Sequence, residues 1–280
     1  MAGETKVLVD GLVFGECPRW HEGKLWFCDV HAYQVMTTDL EGKTDIIVEV
    51  PARPSGLGFM PDGKLMIVSV RNSQLLRLDS EGLTLVADMS DKAVICNDMV
   101  VDYQGRAYIG SYGYSLDTME SGKPAWITMV QPDGRTRIVA DEIDFPNGTV
   151  ITPDGKTLII AETLGFRLTA FDIEPDGSLS GRRIWAQLDE ETPDGICLDA
   201  EGAIWVASPR TSEVIRVQEG GEVTRRIKLS TEAFACMLGG PDRKTLFIMT
   251  ATTFNPEEAQ KKKSGKIEII EVDVPGAGLP

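Results

Sequence analysis

The sequence predicts an all-β fold: a six-bladed β-propeller whose ring is closed by the N-terminal strand. Three observations predict it. Pro-X-Gly stands three times before an apolar run and a turn, as Pro54-Ser55-Gly56, Pro146-Asn147-Gly148 and Pro193-Asp194-Gly195. A turn followed by a strand-like run occurs six times: Glu22-Gly23, Asp62-Gly63, Gln104-Gly105, Asp154-Gly155, Glu201-Gly202 and Asp242-Arg243. The second residues of these turns are spaced by 40, 42, 50, 47 and 41 residues. A period near forty that holds only short strands is the mark of a propeller.

The strands follow in order. Lys6 to Val9 is strand-like and precedes the first unit. The second unit is the clearest: Gly56 to Met60, Lys64 to Ser69, Gln74 to Asp79 and Leu83 to Ala87, separated by Gly and Asp turns. Its third strand recurs as Ile127 to Val130, Leu168 to Ile173, Val214 to Val217 and Ile267 to Val272. The sixth unit lacks a fourth strand. Lys6 to Val9 therefore completes the last blade and leaves no sheet edge free. The whole chain, residues 1–280, is expected to form this one ring.

Composition narrows the partners. The chain carries 28 basic and 43 acidic residues, a net charge of −15. That balance argues against nucleic acid or an anionic membrane as partner. The five cysteines, Cys17, Cys28, Cys96, Cys197 and Cys236, show no framework or CxxC spacing and read as small core residues. Met1 to Asp10 has no apolar signal core, and no apolar span reaches transmembrane length, so a cytoplasmic location is expected.

The repeat also points to a site. The first strand of each blade lines the central channel, so its start lies at one mouth. Counting back eight residues from each second turn residue gives Gly15, Ser55, Asn97, Asn147, Asp194 and Ala235. Glu16 is one residue out of this column, a shift a bulge would correct. The frame repeats while this slot varies, so Glu16, Asn97, Asn147 and Asp194 are expected to converge at one end of the channel. All offer oxygen ligands and two are acidic. Such a cluster suits one divalent metal ion, Ca²⁺ first, with Mg²⁺, Mn²⁺, Zn²⁺ or Fe²⁺ also accommodated. Asn or Asp before Gly is also a common turn former; it is the coincidence of four in one column that favours a metal.

Loops after the second strands overhang the same mouth and present His31, Arg71, Tyr112, Thr163, Ser208 and Thr250. His31 is a candidate proton carrier near neutral pH. Arg71 is a candidate contact for a substrate oxygen. The stretch Gly113 to Pro124 accounts for the longest spacing and is a candidate lid. Asn255 to Ser264 reads as a charged surface loop.

The segments Gly15-Glu16-Cys17-Pro18-Arg19-Trp20, Asn97-Asp98, Pro146-Asn147-Gly148 and Pro193-Asp194-Gly195 resemble the SMP-30/gluconolactonase/luciferin-regenerating-enzyme family. The resemblance runs from Leu12 to about Val272. It implies a six-bladed propeller with one divalent metal in the channel, held by Glu16, Asn147 and Asp194, with Asn97 next to metal and substrate. The family is similar to the diisopropylfluorophosphatase and paraoxonase propellers, in which the equivalent of Asn97 is also a ligand. Most members of known activity hydrolyse lactones. Sugar lactonases of this type often carry Arg where this chain has Ile95, and tend to carry Glu in the loop that here reads Ser111-Tyr112-Gly113-Tyr114-Ser115. Ile95, Tyr112 and Tyr114 therefore suggest a less polar lactone or ester than gluconolactone.

The expected function is metal-dependent opening of a lactone. The metal polarises the carbonyl, and Asp194 assists the attacking water as general base or, alternatively, acts as nucleophile. No Gly-x-Ser-x-Gly motif offers a serine instead. Phosphotriester hydrolysis on the same metal, or a non-catalytic calcium- or ligand-binding propeller, are the alternatives.

Overall fold

Six four-stranded antiparallel sheets succeed one another along the chain. The computed structural model describes residues 4–92, 95–112 and 125–279. A strand β1 (Lys6–Leu12) comes first. The first blade is β2 (Gly15–His21), β3 (Lys24–Asp29), β4 (Gln34–Thr38) and β5 (Thr44–Glu49). The second is β6 (Pro54–Phe59), β7 (Leu65–Ser69), β8 (Gln74–Asp79) and β9 (Gly82–Asp88). The third is β10 (Ile95–Val101), β11 (Ala107–Tyr112), β12 (Ala125–Val130) and β13 (Thr136–Ile143). The fourth is β14 (Pro146–Ile151), β15 (Thr157–Glu162), β16 (Arg167–Ile173) and β17 (Leu179–Gln187). The fifth is β18 (Ile196–Leu198), β19 (Ile204–Ser208), β20 (Glu213–Val217) and β21 (Val223–Lys228). The last holds β22 (Glu232–Gly239), β23 (Thr245–Ala251), a short helix α1 (Pro256–Lys262) and β24 (Gly265–Glu271).

Closure is as the sequence predicts. β1 pairs antiparallel with β24, from Lys6 opposite Ile269 to Leu12 opposite Gly265, and so supplies the sixth blade's outer strand. The first strands of successive blades touch all the way round: β2 with β6, β6 with β10, β10 with β14, β14 with β18, β18 with β22, and β22 with β2. These six strands therefore form the inner ring of a closed propeller.

Burial explains the sequence of each strand. β7 and β19 are buried along their whole length, since neighbouring blades cover both faces. Their sequences, LMIVS and IWVAS, are accordingly continuous apolar runs rather than alternating ones. Outer strands such as β5 carry exposed residues. All five cysteines are free and buried in this core.

One expectation changes and another cannot be compared. The segment expected as a charged loop contains α1. Asn255 caps it by accepting from the Glu257 and Glu258 N–H groups, Pro256 occupies the first turn, and Lys261 and Lys262 end it. That order complements the helix dipole. The candidate lid, Gly113 to Pro124, and Tyr114 within it lie outside the described residues. Among the described residues no helix is long and apolar enough to cross a membrane.

Candidate metal and active site

The varying slot sits on a β-bulge. In the second, third and fourth blades, two residues of the inner strand oppose one of its neighbour: Ser55-Gly56, Asn97-Asp98 and Asn147-Gly148. A bulge re-aims side chains, and here it does so at the mouth of the channel. The Gly after X is required by packing. A Cβ on Gly148 would lie 2.5 Å from the Ile196 N, and one on Gly195 would lie 2.4 Å from the Ala235 Cβ. The next blade's inner strand leaves no room for a side chain. This is why the frame repeats while X is free to vary.

The first blade departs from the counting rule. Its bulged pair is Cys17-Pro18, not Glu16. Two residues separate His21 from Lys24, against five between Phe59 and Leu65, so counting back from the turn overshoots. Cys17 holds the register position of Ser55, Asn97 and Asn147, and adopts a left-handed φ of 50°. Glu16, one residue earlier, still lines the channel mouth together with Asn97, Asn147 and Asp194.

Hydrogen bonds fix the amides. Asn97 donates from Nδ2 to the Pro146 carbonyl (3.1 Å) and to Asn147 Oδ1 (3.3 Å). Its Oδ1 accepts from the Tyr112 hydroxyl at 2.8 Å. Asn147 donates to Thr163 Oγ1 at 3.2 Å, and Thr163 donates to the Pro193 carbonyl at 2.7 Å. Behind them, Arg19 is buried and pairs with Asp98 at 2.7 Å. It also donates to the Leu57 and Met99 carbonyls, clipping three inner strands together.

The acids are less well matched. Glu16 accepts the Cys17 N–H at 3.0 Å. Burial pushes its carboxyl up to about 8; the Cys17 N–H opposes this and the Asp98 charge adds to it. The Asp194 carboxyl is raised well above the usual range by burial, then by the charges of Glu16 and Asp98. The one cation acting on Glu16, Arg19, is committed to Asp98. Two carboxylates and two amides thus line one channel mouth, and among the described residues neither carboxylate has a salt-bridge partner. Among the described residues no three of His, Cys, Asp and Glu form a metal cluster. The donor set here is half amide, and all oxygen. Such a set fits a hard divalent cation, which would relieve the repulsion that raises both carboxyls.

The mouth opens into a cavity of about 560 Å³. Among its lining residues are the apolar Phe14, Phe145, Leu164, Phe234 and Phe254. His31 and Tyr112 line it as expected. His31 is buried, stacks on Phe14 and donates from Nε2 to the Phe254 carbonyl at 3.0 Å. Burial lowers its pKa. Arg71 and Ile95 do not line the cavity. Arg71 is exposed with its guanidinium 5.9 Å from the Tyr33 ring, and Ile95 pairs across the strand with Tyr112.

Sequence reasoning missed Phe14, Arg53, Phe145 and Thr192, all of which line the cavity. A signal was present. Each stands two residues before Glu16, Ser55, Asn147 or Asp194, on the segment that enters the inner strand.

A family model described as "SMP-30/Gluconolactonase/LRE-like region" matches residues 14–252. Regucalcin of Xenopus laevis is 29% identical over 260 residues, covering 89% of this chain and 87% of the frog protein. Among solved structures, the calcium-binding protein regucalcin of Agrobacterium tumefaciens strain C58 superposes with a TM-score of 0.83 at 23% identity, covering 100% of this chain and 97% of that one. A gluconolactonase of Xanthomonas campestris gives a TM-score of 0.76 at 23% identity, covering 98% of this chain and 89% of that one. These two structural likenesses speak to the fold.

Proposed function

The chain belongs to the SMP-30/gluconolactonase/LRE-like family, and from that membership and the site we propose that it is a divalent-cation-dependent lactonase. The observation that carries the reading is the unbalanced pair Glu16 and Asp194, set beside two oriented amides at the floor of a partly apolar cavity. Glu16, Asn97, Asn147 and Asp194 would hold the cation. Their hard oxygens, with the Agrobacterium regucalcin described as a calcium-binding protein, favour Ca²⁺. When bound, the cation supplies Lewis-acid polarisation of the lactone carbonyl.

The protein's own groups do the rest. Asp194 takes the proton of the attacking water as the water oxygen bonds to the carbonyl carbon, and when the ring C–O bond breaks that proton passes from Asp194 to the leaving ring oxygen. A cation would lower the pKa of Asp194, while burial and Glu16 raise it; the two effects together set its strength as a base. Tyr112 orients Asn97 by donating to its Oδ1. His31 is neutral near pH 7, and because its Nε2 proton is given to the Phe254 carbonyl, Nδ1 is left as the ring's acceptor. The apolar wall receives the non-reacting part of a small lactone or ester.

The deciding experiment is metal analysis of the purified protein, followed by a panel of γ- and δ-lactones with and without chelator. Turnover that chelator abolishes and cation restores is expected. Turnover indifferent to chelator would overturn the reading. The regucalcin relatives favour one other reading, a calcium-binding propeller without catalysis. Calcium-dependent thermal stabilisation without turnover of any lactone or aryl phosphotriester would select it. Turnover of the phosphotriesters alone would instead assign phosphotriester hydrolysis.

A further inference from the structure

Arg53 is the cavity residue that the proposed chemistry leaves without a task. The buried arginines each have an acid: Arg19 meets Asp98, Arg106 meets Asp102 and Arg216 meets Asp199, whereas Arg53 is half-buried. Among the described residues Arg53 has no salt-bridge partner, and its Nε is buried without a hydrogen-bond partner. It nonetheless lines the cavity. Its backbone holds a left-handed φ of 72°, unfavourable for a side chain this large. That conformation is pinned, since the Arg53 N–H donates to the Val50 carbonyl and its own carbonyl accepts from the Val70 N–H. The chain thus keeps a strained backbone at the residue that presents an unmatched cation to the cavity.

The guanidinium's charge is also felt within the cavity, at His31 and at Tyr112, two other residues of its lining. Arg210, also in the lining, is engaged differently: its guanidinium lies 5.5 Å from the Phe166 ring and is exposed.

We infer that Arg53 is a specificity-determining residue that binds an oxyanion on the substrate, a carboxylate in its simplest form, so that the site takes an acidic lactone. A guanidinium offers donors only, and its planar fork matches the two oxygens of a carboxylate. A hydroxyl or carbonyl would satisfy a donor but leave the charge unmatched. Phe14 and Phe145 line the same cavity and supply apolar surface for the carbon skeleton between the anionic end and the reacting carbonyl. This inference rests on the lactonase reading only for the reacting group; the anion contact stands on the surroundings of Arg53.

The test is equilibrium binding by calorimetry, in an Asp194→Asn background so that the ring stays closed. The probes are γ-butyrolactone-γ-carboxylate and its carboxamide. The carboxylate is expected to bind about tenfold tighter or more, as a charge-assisted pair does. Arg53→Met keeps the stem and the same backbone demand, and should erase that preference. Arg53→Lys keeps the charge without the fork and should retain part of it. Equal affinity for the two probes, or a preference that survives Arg53→Met, overturns the inference. In the enzyme with Asp194 intact, the acid-to-amide ratio of kcat/KM should fall about tenfold in Arg53→Met, chiefly through KM. Preferential binding without turnover would defeat the lactonase reading and leave the anion contact standing. Turnover without any preference would do the reverse.

Discussion

The turn end of the inner strands and the two acids of the channel mouth, Glu16 and Asp194, differ in how a buried carboxyl is matched. At the turn end, Asp102 and Asp199 are buried and fully matched. Asp102 accepts the Gln104 and Arg106 N–H groups and pairs with the Arg106 guanidinium at 2.5 Å. Asp199 accepts the Glu201 and Ala203 N–H groups and pairs with Arg216 at 2.6 Å. Even beside the slot, Glu162, wholly buried and opposite Pro146, is matched: burial would raise its pKa, but bonds from Arg167 and Thr169 and the Asp144 N–H more than offset it. At the slot end, Glu16 and Asp194 have neither cation nor comparable hydrogen bonds, and both are raised. The same fold can neutralise a buried acid even beside the slot, as Asp98 with Arg19 shows, yet Glu16 and Asp194 have no such partner. Those two acids are left for something that arrives from solution.

The largest expected effect falls at the slot. Asp194→Asn should lower lactone kcat by about 10²–10⁴-fold, the range for removal of a general base, and should reduce bound divalent cation. Full activity in a variant that has lost its cation would break the contrast. At the turn end the expectation reverses. Arg216→Met strands the Asp199 charge and should destabilise the fold by about 3–5 kcal/mol in denaturant titrations. Its cation content per folded molecule should not change. A change in content would mean that the two ends are coupled.

A pH titration sharpens the same comparison. The folded, cation-free protein holds the Glu16 proton up to about pH 8, whereas the unfolded chain releases it near 4.5. Between those values the folded state binds more protons, so stability falls as pH rises. In chelator, the melting temperature should therefore drop by several degrees between pH 5 and pH 8. Glu16→Gln should flatten the drop, because the amide carries no charge to bury. Added cation should stabilise more at pH 8 than at pH 5, since binding releases those protons. A melting temperature that rises through this window in chelator would show that the slot acids are already matched.

The ring was legible because its period is written in turns, and turns have strong sequence signals. The closing strand followed from the sixth unit's missing edge. Asn97, Asn147 and Asp194 were legible because the neighbouring blade's backbone forces Gly or a fixed frame around a free slot. Glu16 was reached by the wrong register, since a two-residue hairpin at His21 and Lys24 is invisible to counting. Arg71 was named and Arg53 was not, because only the loops after the second strands were expected to wall the site, and the entries to the inner strands line the cavity too. The helix at Pro256 was missed because its seven residues show only one buried position, Ala259, and no apolar stripe. Its cap, Asn255 followed by Pro256, was the readable sign.

The smallest expected effect concerns substrate polarity, and it depends on the aromatic lining of the slot-end cavity. Ile95 does not reach the cavity, so an apolar bias cannot come from it. Phe14, Phe145, Phe234 and Phe254 do line the cavity and supply that surface instead. Each substrate methylene buried there contributes about 0.8 kcal/mol. At 1.4 kcal/mol per factor of ten, that is roughly fourfold in kcat/KM for each carbon added. The series to measure is γ-lactones of increasing alkyl length against gluconolactone. The gain should continue while the chain lies on the aromatic wall and stop once it reaches solvent. Phe145→Ala should shorten the series, because Phe145 also packs on Tyr112 with ring centroids 4.7 Å apart. A preference for gluconolactone, with no gain along the alkyl series, would show that the substrate's carbon skeleton does not use this wall.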